Sequence, residues 1–134
     1  MGGSKVTVPI KNDGDIVASR QEGRAMAAGI GFSGSDQVLI ATAISEAARN
    51  ILQYARSGEI QLEHITNGDK EGILIVARDH GPGIKDIALA MQDGYSSSGS
   101  LGLGLPGIKR LMDEIDVQSA PGKGTTVTIR KWKI

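Results

Sequence analysis

Two polar side chains in one predicted helix have types and spacing that could support chemistry. Glu46 and Asn50 are four residues apart in the segment Glu46-Ala47-Ala48-Arg49-Asn50, and residues four apart lie on the same face of a helix. A carboxylate can act as a base, and the amide oxygen beside it is a donor of the kind that Mg²⁺ takes together with waters and phosphates. Alone, the pair is more typical of a solvated helix face.

A second candidate segment follows the most apolar predicted strand and contains Asp79, Gly81 and Gly83. The carboxylate at the strand end could accept a hydrogen bond from an exocyclic amine such as that of adenine. The two glycines would let a flat ring approach the backbone. Pro82-Gly83 also suits the middle of a type II turn, and a turn by itself explains the segment without any ligand.

A third candidate is a glycine-rich segment that includes Gly102, Gly104 and Gly107, with Pro106 placed for a first helical turn. Free backbone N–H groups at a helix N-terminus form a phosphate site. The spacing of these glycines also matches the G-x-G-x-x-G pattern of dinucleotide-binding proteins. No predicted strand directly precedes the segment, so a dinucleotide-binding site is rejected. For this segment alone, a helix cap and a phosphate site are about equally good explanations.

Nine elements are predicted to position these residues. Strands are expected at 5–10, 59–66, 70–79, 116–119 and 125–132, and helices at about 13–28, 35–55, 85–92 and 105–114. The strand at 70–79 is apolar on both faces, which predicts a central position in the sheet. The order predicts an α+β fold, a two-layer α/β sandwich with a mostly antiparallel, mixed sheet and helices on one face.

The helix boundaries and the helical core follow from capping residues and apolar spacing. Asp13 or Asp15 is expected to cap the first helix, and Ser35 or Asp36 the second. The core side of the first helix is predicted to carry Ile16, Val17, Ala27 and Ile30, and that of the second Ile40, Ile44, Ala47, Ile51 and Tyr54.

Composition excludes several classes of function. Residues 1–134 suffice for a single domain. Fifteen basic residues balance fifteen acidic ones and only four aromatic residues are present, which argues against a nucleic-acid partner. The absence of cysteine excludes disulfides and thiolate metal sites. No apolar run approaches the length of a membrane span, so no membrane contact is expected and a cytoplasmic protein is predicted.

The three candidate segments gain meaning from their order. A Glu-x-x-x-Asn helix, a strand ending in Asp-x-Gly-x-Gly, and Gly-x-Gly before a helix resemble the boxes of the GHKL (Bergerat) ATPases, and the resemblance covers nearly the whole chain. The matching residues are Glu46 and Asn50, then Asp79, Gly81 and Gly83, then Gly102 and Gly104, and finally Gly124-Thr125. Four matches in the correct order and spacing form a specific signal.

The resemblance implies ATP and Mg²⁺ as cofactors and assigns roles in binding them. Asp79 would hold the adenine amino group, with Gly83 beside the ring and Thr125 helping through water. Asn50 would coordinate Mg²⁺.

The same resemblance assigns the remaining roles. Gly102 and Gly104 would cradle the β- and γ-phosphates, and the loop at 93–100 would form a short lid over the nucleotide. Glu46 would orient or deprotonate the incoming serine hydroxyl.

Within this family, the segments at 15–18, 44–50 and 104–114 look like those of the RsbT-type switch kinases. That resemblance implies a protein-serine/threonine kinase that phosphorylates STAS-domain proteins of the stressosome and activates a PP2C-type phosphatase once released. Two alternatives stay open: an anti-sigma-factor serine kinase, and a non-catalytic ATP-dependent binding module. The presence of Glu46 argues against the second, since a pure binder needs no base.

Overall fold

The computed structural model describes residues 5–81 and 105–133. In that part of the chain, the elements in order are β1 (Lys5–Ile10), α1 (Asp13–Ile30), α2 (Gly34–Ala55), β2 (Gly58–Asn67), β3 (Lys70–Asp79), α3 (Leu105–Leu111), β4 (Glu114–Ser119) and β5 (Thr125–Trp132). The helix predicted at 85–92 and the lid predicted at 93–100 lie outside the described residues.

The five strands form one sheet in the order β1-β2-β3-β5-β4. β3 occupies the centre, as its apolar character on both faces predicts. All four described pairings are antiparallel, so this part of the sheet is not mixed. β2 and β3 are joined by a two-residue turn in which Gly68 has a φ of 63°, the position at which a type II′ hairpin turn favours glycine.

One face of the sheet packs against the helices and forms the core. The strands contribute buried side chains at alternate positions, namely Val8, Ile10, Ile60, Leu62, Ile73, Ile75, Ala77, Val127 and Ile129. The helices contribute Ile16, Ala27, Ile30, Ile40, Ile44, Ala47, Ile51 and Ile108, among others. The predicted α+β sandwich with helices on one face is therefore confirmed.

Two predicted core residues are exposed instead. Val17 is 40% exposed. It comes one residue after the buried Ile16, and each residue of a helix is rotated by about 100° from the one before, so the Val17 side chain turns away from the sheet. Tyr54 is 41% exposed in the last turn of α2, beyond Ile51, the last buried residue of that helix.

The helix caps differ from those predicted. Asn12, not Asp13 or Asp15, caps α1: its Oδ1 accepts the Asp15 N–H at 3.1 Å, and the Asp15 carboxylate accepts the Asn12 N–H at 3.2 Å. This reciprocal capping box satisfies two N–H groups at the helix start. Ser33, not Ser35 or Asp36, caps α2. None of the helices in the described segments is long and apolar enough to cross a membrane.

The third helix is shorter than the expected span of 105–114. It ends at Leu111, and the Asp113 N–H then donates to the Arg130 carbonyl at 3.0 Å. Glu114 already pairs with Arg130 as the first residue of β4. Pairing with β5 therefore ends the helix early.

Candidate nucleotide-binding site

The carboxylate of Asp79 is held by the backbone at the end of β3. Its Oδ1 accepts the N–H of Gly81 at 2.9 Å and the N–H of Thr125 at 3.1 Å. Thr125 is the first residue of β5 and stands directly opposite Asp79 in the sheet. Because both backbone donors use Oδ1, the second oxygen, Oδ2, is left as an acceptor for a hydrogen-bond donor from outside the described residues.

Two glycines allow close packing around Asp79. A Cβ placed on Gly81 would lie 2.6 Å from the Ala55 Cβ and 3.1 Å from the Tyr54 carbonyl oxygen. The segment after β3 is therefore packed directly on the last turn of α2. A Cβ on Gly124 would overlap the carbonyl oxygen of Asp79, and Gly124 also has a φ of +78°. Only glycine meets both requirements without strain.

Replacing Gly124 by alanine is expected to lower the free energy of unfolding by about 2 kcal/mol or more, because the variant combines a positive φ with a backbone overlap. Chemical denaturation measures the loss. Gly122→Ala is a matched control: Gly122 has the same φ of +78°, but nothing lies within 4 Å of the position that its added methyl group would take. Equal losses in the two variants would show that the contact with Asp79 has no energetic weight.

A hydroxyl pair lies beside this carboxylate. Ser119, the last residue of β4, donates to the Gly124 carbonyl at 3.0 Å, and its Oγ lies 2.8 Å from the Thr125 Oγ1. Since a carbonyl only accepts, the Thr125 hydroxyl donates to Ser119 in this arrangement. Sequence reasoning missed Ser119. The available signal was the β4–β5 hairpin, whose register puts Ser119 opposite Thr125.

Glu46 and Asn50 lie on α2, as predicted. The Glu46 side chain is only 15% exposed, and its Oε1 lies 2.5 Å from Nη1 of Arg49. Arg49 itself is solvent-exposed and pairs with Glu46 from the helix surface. The Asn50 side chain is partly buried, and its amide forms no side-chain hydrogen bond with residues 5–81 and 105–133.

Helix α2 places these groups in a definite order relative to Asp79. Ala55 contacts the Gly81 segment, and Asn50 and Glu46 precede it by five and nine residues. At 1.5 Å of rise per residue, they lie about 7.5 Å and about 13.5 Å back along the helix axis. An extended ligand bound at Asp79 and lying along α2 would therefore pass Asn50 before it reached Glu46.

The remaining predicted site residues, Gly83, Gly102 and Gly104, lie outside the described residues. Helix α3 follows them directly at Leu105 and packs against α2. The described segments contain no group of three or more acidic or histidine side chains that could hold a metal. A metal near Asn50 would therefore need further oxygen ligands. Phosphates and water are the partners that Mg²⁺ usually retains, so the residues present fit Mg²⁺ bound together with a nucleotide.

Comparisons with known proteins identify the family. Residues 11–131 match the histidine kinase-like ATPase domain. The chain is 52% identical over 125 residues to the serine/threonine-protein kinase RsbT of Bacillus subtilis, covering 93% of this chain and 94% of the relative. It is 35% identical over 99 residues to the anti-sigma F factor of Thermoanaerobacter sp., covering 69% and 68% of the two chains.

A solved structure supports the same fold. The crystal structure of the RsbU and RsbW domains of a Mycobacterium tuberculosis protein superposes with a TM-score of 0.64 at 20% identity, over 98% of this chain and 32% of that chain. The predicted GHKL resemblance and the kinase class are confirmed by the sequence relatives, and the predicted fold by the superposition. The chain belongs to the histidine kinase-like ATPase family.

Proposed function

We propose that this chain uses ATP to phosphorylate serine or threonine residues of STAS-domain proteins in a bacterial stress-signalling complex, the stressosome, in the cytoplasm. We further propose that it activates a PP2C-type phosphatase once released from that complex. The observation that carries the kinase proposal is the order of the site groups. Asp79 lies at the end of β3, beside the segment that packs on the last turn of α2, and Asn50 and then Glu46 follow back along that helix. The 52% identity to RsbT supports the serine/threonine class.

The acceptor character of Asp79 fits the adenine ring. With Oδ1 used by two backbone donors, Oδ2 is available to the exocyclic amine. Thr125 stands beside it, and the close packing of Gly81 on α2 leaves the backbone at this point without a projecting side chain. We assign Asp79, Gly81 and Thr125 to the ring, and on the family pattern we add Gly83.

The phosphates and Mg²⁺ would lie farther back along α2. Asn50 supplies one amide oxygen at that level, and Gly102 and Gly104, which precede α3, are assigned to the β- and γ-phosphates on the family pattern. Phosphoryl transfer requires mainly positioning and charge neutralisation from a protein. Asn50 and the glycine segment would meet these needs.

Glu46 is assigned as the base. ATP supplies the phosphoryl group, and the Glu46 carboxylate accepts the proton that the serine or threonine hydroxyl loses. Oε1 is paired with Arg49, so Oε2 is the oxygen to receive it. The low exposure of the Glu46 side chain keeps this carboxylate largely out of bulk water. Its interactions with the reacting groups are stronger there than they would be in water.

A second function has its own support. The 35% identity to an anti-sigma F factor favours an anti-sigma-factor serine kinase as the alternative. Such a protein would share the ATP site and differ in the partner surface. A non-catalytic ATP-dependent binding module is the third candidate, and it leaves Glu46 without a role.

The decisive experiment is incubation with radiolabelled ATP and Mg²⁺ in the presence of a STAS-domain protein, with an unrelated protein as control. Label on serine or threonine of the STAS protein alone is expected. Binding of a sigma factor by the same chain would favour the anti-sigma alternative. ATP binding without transfer to any partner would contradict the kinase proposal and favour the binding module.

A further inference from the structure

The proposed base, Glu46, forms an ion pair with Arg49. The two residues are three apart on α2, and Arg49 Nη1 lies 2.5 Å from Glu46 Oε1. The two side chains differ in environment: that of Arg49 is 53% exposed, whereas that of Glu46 is 15% exposed. The guanidinium therefore reaches from solvent toward a carboxylate in a more enclosed position.

The ion pair contributes little to the folding stability of the chain. Ion pairs three or four residues apart on a helix contribute about 0.2–0.5 kcal/mol, and pairs with an exposed partner often contribute nothing measurable. What the contact does change is the freedom of Glu46. A glutamate side chain has three rotatable bonds, and a charged hydrogen bond to one oxygen restricts the direction in which the other oxygen points.

The contact also divides the two oxygens between two tasks. Oε1 is taken by Arg49, whereas Oε2 accepts no hydrogen bond from the described residues. Asn50, one residue after Arg49, is four residues from Glu46 and so shares the same helix face. Arg49 and Asn50 therefore both neighbour the Glu46 carboxylate from the next helical turn, which is the turn nearer to Asp79.

We propose that Arg49 is a positioning residue for Glu46: its guanidinium holds Oε1 so that Oε2 is directed at the serine or threonine hydroxyl. The inference rests on the proposed function, in which Glu46 is the base. The proton passes from the substrate hydroxyl to Oε2, the hydroxyl oxygen bonds to the transferred phosphoryl group, and the bond to ADP breaks. Arg49 takes no part in this exchange and keeps its own proton.

The test compares Arg49→Ala and Arg49→Lys with the unmodified chain in single-turnover transfer of label from ATP to the STAS-domain substrate. For Arg49→Ala, a fall of about 10- to 100-fold in the transfer rate is expected, because small errors in the position of a reacting group are costly. ATP affinity and melting temperature should stay unchanged. Arg49→Lys should recover part of the rate, since lysine supplies the charge without the planar fork.

Arg130→Ala is the matched control. Arg130 is also an ion-paired arginine: its side chain is 37% exposed and its Nη1 lies 3.6 Å from Glu114 Oε1, but it lies on β5 and away from α2. This variant should transfer label at the unmodified rate. A loss equal to that of Arg49→Ala would assign the effect to a general loss of surface charge and overturn the inference.

A double variant separates positioning from direct phosphate contact. If Arg49 acts through Glu46, adding Arg49→Ala to Glu46→Gln should cost nothing further. Weaker ATP binding in Arg49→Ala would place Arg49 on the nucleotide and overturn the inference. The same fold-loss of transfer rate in the unmodified and in the Glu46→Gln background would do so too. A transfer rate that Arg49→Ala leaves unchanged would also overturn the inference, because Arg49 would then have no role in transfer. Failure of the proposed function gives a different result: no transfer by the unmodified chain, or full activity in Glu46→Gln.

Discussion

Asp79→Asn is expected to lower the affinity for ATP by about 10- to 100-fold while the chain keeps its fold. The asparagine oxygen can still accept the N–H groups of Gly81 and Thr125. The amide nitrogen then occupies the place of Oδ2 and presents a donor to the adenine amine, itself a donor. Loss of a hydrogen bond to a charged group costs about 1.5–3 kcal/mol, which corresponds to this range of affinity.

Titration calorimetry with two nucleotides makes the test sharper. Inosine triphosphate carries an oxygen where ATP carries the amine, and this oxygen can accept a hydrogen bond from the asparagine amide. The ratio of ATP affinity to inosine triphosphate affinity should therefore be smaller in Asp79→Asn than in the unmodified chain, or fall below one. Asp113→Asn is a suitable control, because the Asp113 carboxylate also accepts a backbone N–H, from Trp132 at 2.8 Å, in another part of the fold. An unchanged ATP preference in Asp79→Asn would remove Asp79 from the ring site.

Glu46→Gln is expected to reduce phosphoryl transfer by about 10²- to 10⁴-fold, the usual contribution of a positioned acid or base. ATP affinity should change by less than about threefold, because glutamine has the same shape and the carboxylate is assigned to the hydroxyl rather than to the nucleotide. Single-turnover transfer and nucleotide titration measure the two quantities separately.

A glutamate of another helix provides the control for this change. Glu22 is exposed on α1, and Glu22→Gln should transfer label at the unmodified rate. Full activity in Glu46→Gln would show that Glu46 is not the base. A parallel loss of ATP binding would assign the carboxylate to nucleotide binding instead.

The strand pattern could be predicted from the sequence more closely than the helix ends. β1, β3 and β5 have the predicted bounds, because alternating or continuous apolar residues stop at clear turn residues such as Asn67-Gly68-Asp69. The caps at Asn12 and Ser33 were missed because neighbouring residues have equal capping ability. The end of α3 depends on the pairing of Asp113 with Arg130, a tertiary contact that local propensity does not contain.

For the site, the order of the motifs was sufficient to single out Glu46, Asn50, Asp79 and Thr125 as candidates, and the structure brings Asp79 and Thr125 into contact. It adds facts that no spacing rule contains: both backbone donors use one oxygen of Asp79, Ser119 joins the hydroxyl of Thr125, and Arg49 pairs with Glu46. These contacts depend on rotamers and on strand register. The roles assigned to these candidate residues stay predictions, as do those of Gly83, Gly102 and Gly104.

The bond between Asp79 and Thr125 joins residues 46 positions apart, and this separation has a consequence for the newly made chain on the ribosome. β5 pairs with β3 but is synthesised after α3 and β4, so β3 has one unpaired edge until β5 emerges. Such an edge is open to pairing with other chains, and pairing of distant segments is slow. The contact between Asp79 and Thr125 is therefore among the last parts of the described fold to form.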